Sequence, residues 1–279
     1  MSIAYSNGQF VDLNEPVIPV EERGHQFGDG VYEVIRVYQG KPFMLKEHLE
    51  RLIRSAQAIK LPIEERLTDY EHLILKGIEK SGLSDCDVYI QITRGISPRN
   101  HLFPDVPVST TMTVKPSKML NPELREHGVK AIFHPDERWA NCYIKSLNLL
   151  PNILSKQAAH DAGCFEAILV RDGFVTEGTS SNVFIIQDGK VYTTPLSKQI
   201  LPGITRMAVK KAAENLDIPF IEEKFTPEQL KQADEVFITS TTSEILPVVH
   251  IEGEQIGDGK PGEITKSLYK EFKTFIKSL

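Results

Sequence analysis

Three groups of residues in this sequence are of types, and at spacings, that could do chemistry. The first could hold a phosphate. Leu201-Pro202-Gly203-Ile204-Thr205-Arg206 sets Pro-Gly directly before a helical pattern, and Thr239-Ser240-Thr241-Thr242-Ser243 sets five hydroxyls in a row behind a strand. Free N–H groups at a helix start and small hydroxyls are what a phosphate needs, although each segment alone is more often an N-cap or a polar turn. The second group is Lys145, in Ile144-Lys145-Ser146-Leu147-Asn148, followed by Thr176-Glu177-Gly178-Thr179-Ser180-Ser181-Asn182. If the chain from Asn141 is extended, alternation sets Asn141, Tyr143 and Lys145 on one face and Cys142 and Ile144 on the other. A lysine there is either surface decoration or a working amine, and periodicity does not decide. The third group lies in the N-terminal half. Tyr32, Val34 and Arg36 share one face of a strand, and Arg99 and His101 stand two apart in a loop. Paired cations of this kind suit a carboxylate, for which Arg offers a two-pronged fork; a hydrated turn is the alternative.

Other chemistries are disfavoured. Gly28-Asp29-Gly30-Val31-Tyr32-Glu33 begins like a dinucleotide fingerprint but has Glu33 at the third glycine and leads into a strand. Gly178-Thr179-Ser180-Ser181-Asn182 lacks the closing glycine of a nucleophile elbow. There is no phosphate-loop motif, no HExxH and no CxxC, so a metal centre is not expected. The 279 residues carry 32 Lys+Arg against 38 Asp+Glu, a net charge of −6, which argues against coating a nucleic acid. The three cysteines are widely spaced and odd in number, fitting a reducing compartment. Residues 1–10 hold no basic segment leading into an apolar one, and apolar runs such as Ala167 to Val170 are too short to span a bilayer. The expectation is a cytoplasmic protein without membrane contact.

The elements that must position these groups can be read from turns and periods. Asn7-Gly8, Gln39-Gly40, Asp172-Gly173, Asp188-Gly189 and Glu252-Gly253 read as hairpin turns. Leu45, Leu49, Leu52, Ile53, Ala56 and Ile59 follow the helical period, as do Ile264, Leu268, Phe272, Phe275 and Leu279. Residues 70–80 and 205–216 also read as helices, and 31–38, 88–94, 165–170 and 236–239 as strands. The class is α+β. Prolines at 116 and 122 bracket a polar stretch, giving an N-terminal domain over 1–116, a linker over 117–122 and a C-terminal domain over 123–279. The lysines of the last helix, Lys266, Lys270, Lys273 and Lys277, read as a solvated face.

Taken in order, Arg23 to Glu33, Glu47 to Leu52, Thr93 to His101, Ile144 to Leu150, Thr176 to Phe184, Gly203 to Arg206 and Thr239 to Glu244 resemble the fold type IV family of pyridoxal-phosphate enzymes. Within it the resemblance is to the D-amino-acid aminotransferases. It implies a two-domain α+β fold, pyridoxal 5′-phosphate as cofactor, and transfer of an amino group from a D-amino acid to a 2-oxo acid. Lys145 then holds the cofactor as a Schiff base and later moves the substrate proton, and Glu177 pairs with the pyridine nitrogen. Arg51, the backbone of Ile204 and Thr205, and the hydroxyls of Ser240 and Thr241 hold the phosphate, with Ser180 and Leu201 as further cofactor contacts. Without the resemblance, Arg51 reads as a helix-surface partner of Glu47. Tyr32, Arg99 and His101 match the trap for the substrate carboxylate, with Arg99 and His101 supplied by the neighbouring subunit of a homodimer. The domain division then sets the lysine and most of the phosphate cup in the C-terminal domain, with the site between the two domains. Branched-chain aminotransferases share the lysine, the glutamate and the cup, so the D-amino-acid assignment rests on Arg99-Asn100-His101. A branched-chain L-aminotransferase, an aminodeoxychorismate lyase and a non-catalytic cofactor carrier are the alternatives. His25, where a tyrosine is common, and Arg36, near Tyr32, are the departures.

Overall fold

The computed structural model describes residues 1–63 and 67–279. Contacts divide the chain into two compact units, 1–118 with 144–148, and 119–143 with 149–279.

The first unit holds β1 (Ile3–Ser6), β2 (Gln9–Val11), α1 (Arg23–Phe27), β3 (Gly30–Tyr38), β4 (Lys41–Pro42), α2 (Leu45–Ala58), α3 (Leu67–Ser81), β5 (Cys86–Thr93) and β6 (Ser109–Pro116). Its sheet runs β2-β1-β6-β5-β3-β4, antiparallel throughout. Alternation along β3 turns Val31, Ile35 and Val37 into a core shared with Leu49 and Leu52 of α2, Ile90 and Ile92 of β5, and Met112 and Val114 of β6. Ile144 joins this core from far along the chain.

The second unit holds α4 (Pro122–His127), β7 (Val129–Pro135), α5 (Leu150–Asp161), β8 (Glu166–Arg171), β9 (Phe174–Gly178), β10 (Asn182–Gln187), β11 (Lys190–Thr193), α6 (Ile204–Asn215), β12 (Phe220–Glu222), α7 (Pro227–Lys231), β13 (Glu235–Ser240), β14 (Glu244–Ile251), β15 (Glu254–Gln255) and α8 (Glu263–Lys277). Its sheet runs β12-β11-β10-β13-β14-β7-β8-β9, with β15 on β14. Three parallel pairings, β11 with β12, β14 with β7 and β7 with β8, sit among the antiparallel ones. Its core includes Ile168, Val183, Val236, Ile238, Leu246 and Val248.

All five expected hairpin turns form, and in each both central residues have positive φ, the backbone that two-residue hairpins require. Two details differ from the sequence reading. The stretch after Asn141 turns at Cys142 and Tyr143 rather than running extended, although Cys142 and Ile144 are buried and Tyr143 exposed as alternation suggested. Lys145 also counts with the first unit, not with the C-terminal domain. The reason is local: β4 pairs only Val37 and Tyr38, so the start of β3 would keep an open edge. Residues 145–147 fill it. Tyr32 N–H donates to the Lys145 carbonyl at 3.0 Å, Leu147 N–H donates to the Gly30 carbonyl at 3.1 Å, and Ser146 bridges Val31. Among the described residues, no helix is long and apolar enough to cross a membrane.

Candidate active site

Lys145 is fixed through its backbone on both sides. Its carbonyl accepts from Tyr32, and its own N–H donates to Ser55 Oγ of α2 at 3.1 Å. The half-buried side chain turns its Nζ to 4.3 Å from the centroid of the Tyr32 ring, which itself stacks on Tyr89 at 5.5 Å. An amine and a phenol are thus held side by side.

Beneath them lies a cluster the sequence reading missed. Glu33 is fully buried on the apolar face of β3, in register with Val31 and Ile35. Arg51 donates to it through Nε at 2.7 Å and Nη2 at 2.8 Å, and His48 Nδ1 is 2.7 Å from the same carboxylate. Burial alone would raise the Glu33 carboxyl, but Arg51 and His48 outweigh it and hold it well below the usual carboxylate range. An ionised Glu33 only accepts, so His48 carries its proton on Nδ1; burial lowers the His48 pKa against the pull of Glu33. Arg51 is therefore not the surface partner of Glu47. It is a buried guanidinium whose fork is oriented by Glu33. The signal was present: a lone carboxylate in an apolar strand register, facing His48, Arg51 and Ser55 at helical spacing on α2.

In the second unit, Glu177 lies one residue before the end of β9, buried, with donors on both oxygens. Arg138 Nη1 is 2.5 Å from Oε1, Asn182 Nδ2 is 2.9 Å from Oε2, and the Leu201 N–H is 3.1 Å from Oε2. Arg138 is aimed by Asp136, which accepts from its Nε and Nη2 at 2.8 Å and also from Arg171 and Thr176. Burial pushes the Glu177 carboxyl up to about 7 even though Arg138 works against it. A carboxylate so placed is poised to accept one more positive partner.

Asn182 ties this acid to the start of α6. Its Nδ2 also donates to the Leu201 carbonyl at 3.0 Å, and its Oδ1 lies where a Cβ on Gly203 would fall, at 2.0 Å. Only glycine fits at 203. Gly203 caps α6 without a side-chain hydrogen bond, so Ile204 and Thr205 open the helix with no side chain capping them. Asn182 pairs with Thr239 across β10 and β13, which brings the following Ser240 and Thr241 to the same end of the sheet. There Ser240 Oγ accepts from the Ser243 N–H at 3.0 Å and Thr241 is half-buried. Ser180 is exposed, between Thr179 and Ser181, whose hydroxyls both donate to the buried Glu166. Leu201 is half-buried beside Glu177.

The remaining candidates divide. Tyr32 stands with Lys145 as above, while Arg36 forms an ion pair with Asp87, its partner across β3 and β5. Arg99 and His101 are exposed and flank one ring, Phe27: the Arg99 guanidinium is 4.6 Å and the His101 centroid 5.6 Å from its centroid. His25 is exposed on α1.

The family model of amino-transferase class IV matches residues 30–251. A D-alanine aminotransferase of Staphylococcus haemolyticus is 45% identical over 279 residues, all of this chain and 99% of that protein. One of Bacillus licheniformis is 43% identical over 98% of this chain and 96% of its own length. Among solved structures, the branched-chain amino acid aminotransferase of Escherichia coli has a TM-score of 0.91 at 28% identity, covering 98% of this chain and 93% of that one. A branched-chain amino acid aminotransferase from T.th., solved with pyridoxamine 5′-phosphate, has a TM-score of 0.89 at 27% identity, covering 99% and 93%. A backbone-pinned lysine, a buried glutamate with donors on both oxygens, and a match spanning most of the chain lead to one conclusion: this protein belongs to the class IV aminotransferases.

Proposed function

We propose that this protein is a pyridoxal-phosphate-dependent aminotransferase that moves the amino group of a D-amino acid such as D-alanine to 2-oxoglutarate, giving a 2-oxo acid and D-glutamate. The observation that carries the reading is the identity of 43–45% over the whole chain to proteins named D-alanine aminotransferase. The residues present fit the cofactor. Helix α6 opens on N–H groups without a side-chain cap, suited to its phosphate, and Glu177 is a buried carboxylate that a protonated ring nitrogen would hold ionised. When bound, pyridoxal phosphate supplies an aldehyde for an amine and a ring that accepts electrons from the substrate Cα. Lys145 is the amine that carries it and that takes the proton from Cα. Arg51, Ile204, Thr205, Ser240 and Thr241 hold the phosphate, and Ser180 and Leu201 complete the seat. Tyr32, Arg99 and His101 hold the substrate carboxylate. We place the enzyme in the cytoplasm, a reading supported by its three free cysteines.

The backbone likeness to branched-chain enzymes supports a second reading, an L-specific transaminase. Half-reactions followed by loss of the cofactor's visible band separate the two. With D-alanine and L-leucine compared, kcat/KM is expected to favour the D-isomer by about 100-fold or more; a faster reaction of L-leucine would replace the first reading by the second.

We also propose a homodimer in which each subunit lends Arg99 and His101 to its neighbour. Its support is their exposure in one chain, next to Leu102 at 75% and Phe103 at 59% exposed. Arg99→Leu is expected to raise the KM for D-alanine, at a cost of about 3 kcal/mol in kcat/KM. Hybrids of Lys145→Ala and Arg99→Leu subunits are expected to recover activity, because one of the two sites then has both residues intact. Hybrids no more active than their parents would rule out lending across the dimer.

A further inference from the structure

The loop after β5 presents Arg99 and His101 to solvent, yet its base is anchored by buried charge. Asp29, between α1 and β3, accepts on Oδ2 from Arg23 Nε at 2.9 Å and from Arg94 Nε at 2.9 Å. Both guanidiniums are buried, so one carboxylate serves two cations taken out of water. Each cation then grips something else. Arg94 donates to the Ile59 and Lys60 carbonyls, both at 2.8 Å, just past the end of α2, and lies 3.6 Å from the centroid of Phe103. Arg23 Nη1 donates at 2.6 Å to the carbonyl of Asn100, the residue between Arg99 and His101. Phe27, on the same short helix, has Arg23 at 4.8 Å, Arg99 at 4.6 Å and the His101 ring at 5.6 Å. The left-handed cap at Gly28, φ 66°, turns the chain from that ring to Asp29.

We propose that Asp29 and Phe27 are positioning residues for the Arg99 and His101 pair. Asp29 fixes the backbone between them through Arg23 and the root of the loop through Arg94, and Phe27 is the platform against which both side chains are set. The inference rests on the reading of Arg99 and His101 as the substrate-carboxylate grip. Neither Asp29 nor Phe27 touches the substrate in this scheme, so their loss acts on capture and not on the chemical step.

The test is steady-state kinetics on holoenzyme variants with D-alanine, alongside Arg99→Leu. Asp29→Asn and Phe27→Leu are each expected to raise KM about tenfold while kcat at saturation stays within about twofold. Phe27→Tyr, which keeps the ring, is expected to restore KM. In the Arg99→Leu background, Asp29→Asn is expected to add little further rise, since two residues acting through one contact are not additive; a general loss of folding would instead add its full effect and lower kcat. If Asp29→Asn does not fold, Phe27→Leu and its tyrosine rescue carry the test. A raised KM in Arg99→Leu with unchanged KM in Asp29→Asn and Phe27→Leu overturns the positioning role alone. An unchanged KM in Arg99→Leu overturns the reading of Arg99, and this inference with it.

Discussion

Lys145→Ala is expected to abolish amino transfer and the visible absorption of the bound cofactor while leaving the fold intact. The fold survives because the chain at 145 is held by backbone groups: its N–H on Ser55 Oγ and its carbonyl under the Tyr32 N–H. Alanine keeps both. What is lost is an amine 4.3 Å from the Tyr32 ring centroid, with no second lysine on that segment to replace it. Positioned proton transfer contributes up to about 10⁴-fold in rate, and losing covalent attachment as well sets kcat down by at least about that factor. Borohydride reduction followed by peptide mapping checks the attachment. A reducible band that persists in the variant would move the attachment point to another lysine and undo the assignment.

Much of the fold was legible because its signals are local. Asn7-Gly8 and Asp188-Gly189 need left-handed backbone at both positions, and few other structures ask for that. The helix stripe of Leu45, Leu49 and Leu52 repeats within one element. The partners of the site residues are not local. Arg51 could be matched to Glu47 one turn away, yet its acceptor is Glu33, which reaches it only because β3 packs against α2. Arg138 lies 39 positions from Glu177 in sequence, and the fold alone brings the two into contact. Arg36 looked free to influence Tyr32 until the register of β3 and β5 set Asp87 opposite it. Lys145 itself is indistinguishable by type from a surface lysine; its pinning depends on β4 being too short to cover the start of β3. The ordered set of motifs, not the period of any strand, pointed to it. Backbone likeness is no guide to the substrate either: the TM-score of 0.91 belongs to a branched-chain enzyme at 28% identity, whereas the D-alanine aminotransferases reach 45%. Fold is shared across the family, and specificity lies in side chains at the site.

Glu177→Gln is expected to lower kcat by about 10²- to 10³-fold, the loss usual when one preorganised electrostatic partner is removed from a buried site. Glutamine keeps the shape and can still accept from the Leu201 N–H, but its amide nitrogen then faces the Arg138 guanidinium, so the change removes the charge together with one acceptor. The pH dependence separates this role from a structural one. The Glu177 carboxyl sits at about 7, well above its ordinary 4.5, so it is protonated in mildly acidic solution and ionised above neutrality. Only the ionised form can hold a protonated ring nitrogen. Cofactor binding to the stripped protein should therefore tighten between about pH 6 and 8 in the native sequence and lose that tightening in Glu177→Gln. Stability moves the other way. A carboxyl whose folded pKa lies above its unfolded value favours the fold fully below about pH 4.5, and loses that contribution as pH rises through about 7. Stripped of cofactor, the native protein should lose up to about 3 kcal/mol across that window, a loss that Glu177→Gln removes. Arg138→Leu takes away the guanidinium that opposes the rise, so it should carry the tightening of cofactor binding to higher pH. A Glu177→Gln protein that keeps the native pH dependence of cofactor binding would show that another group titrates there, and Glu177 would then be only an anchor for Leu201 and Asn182.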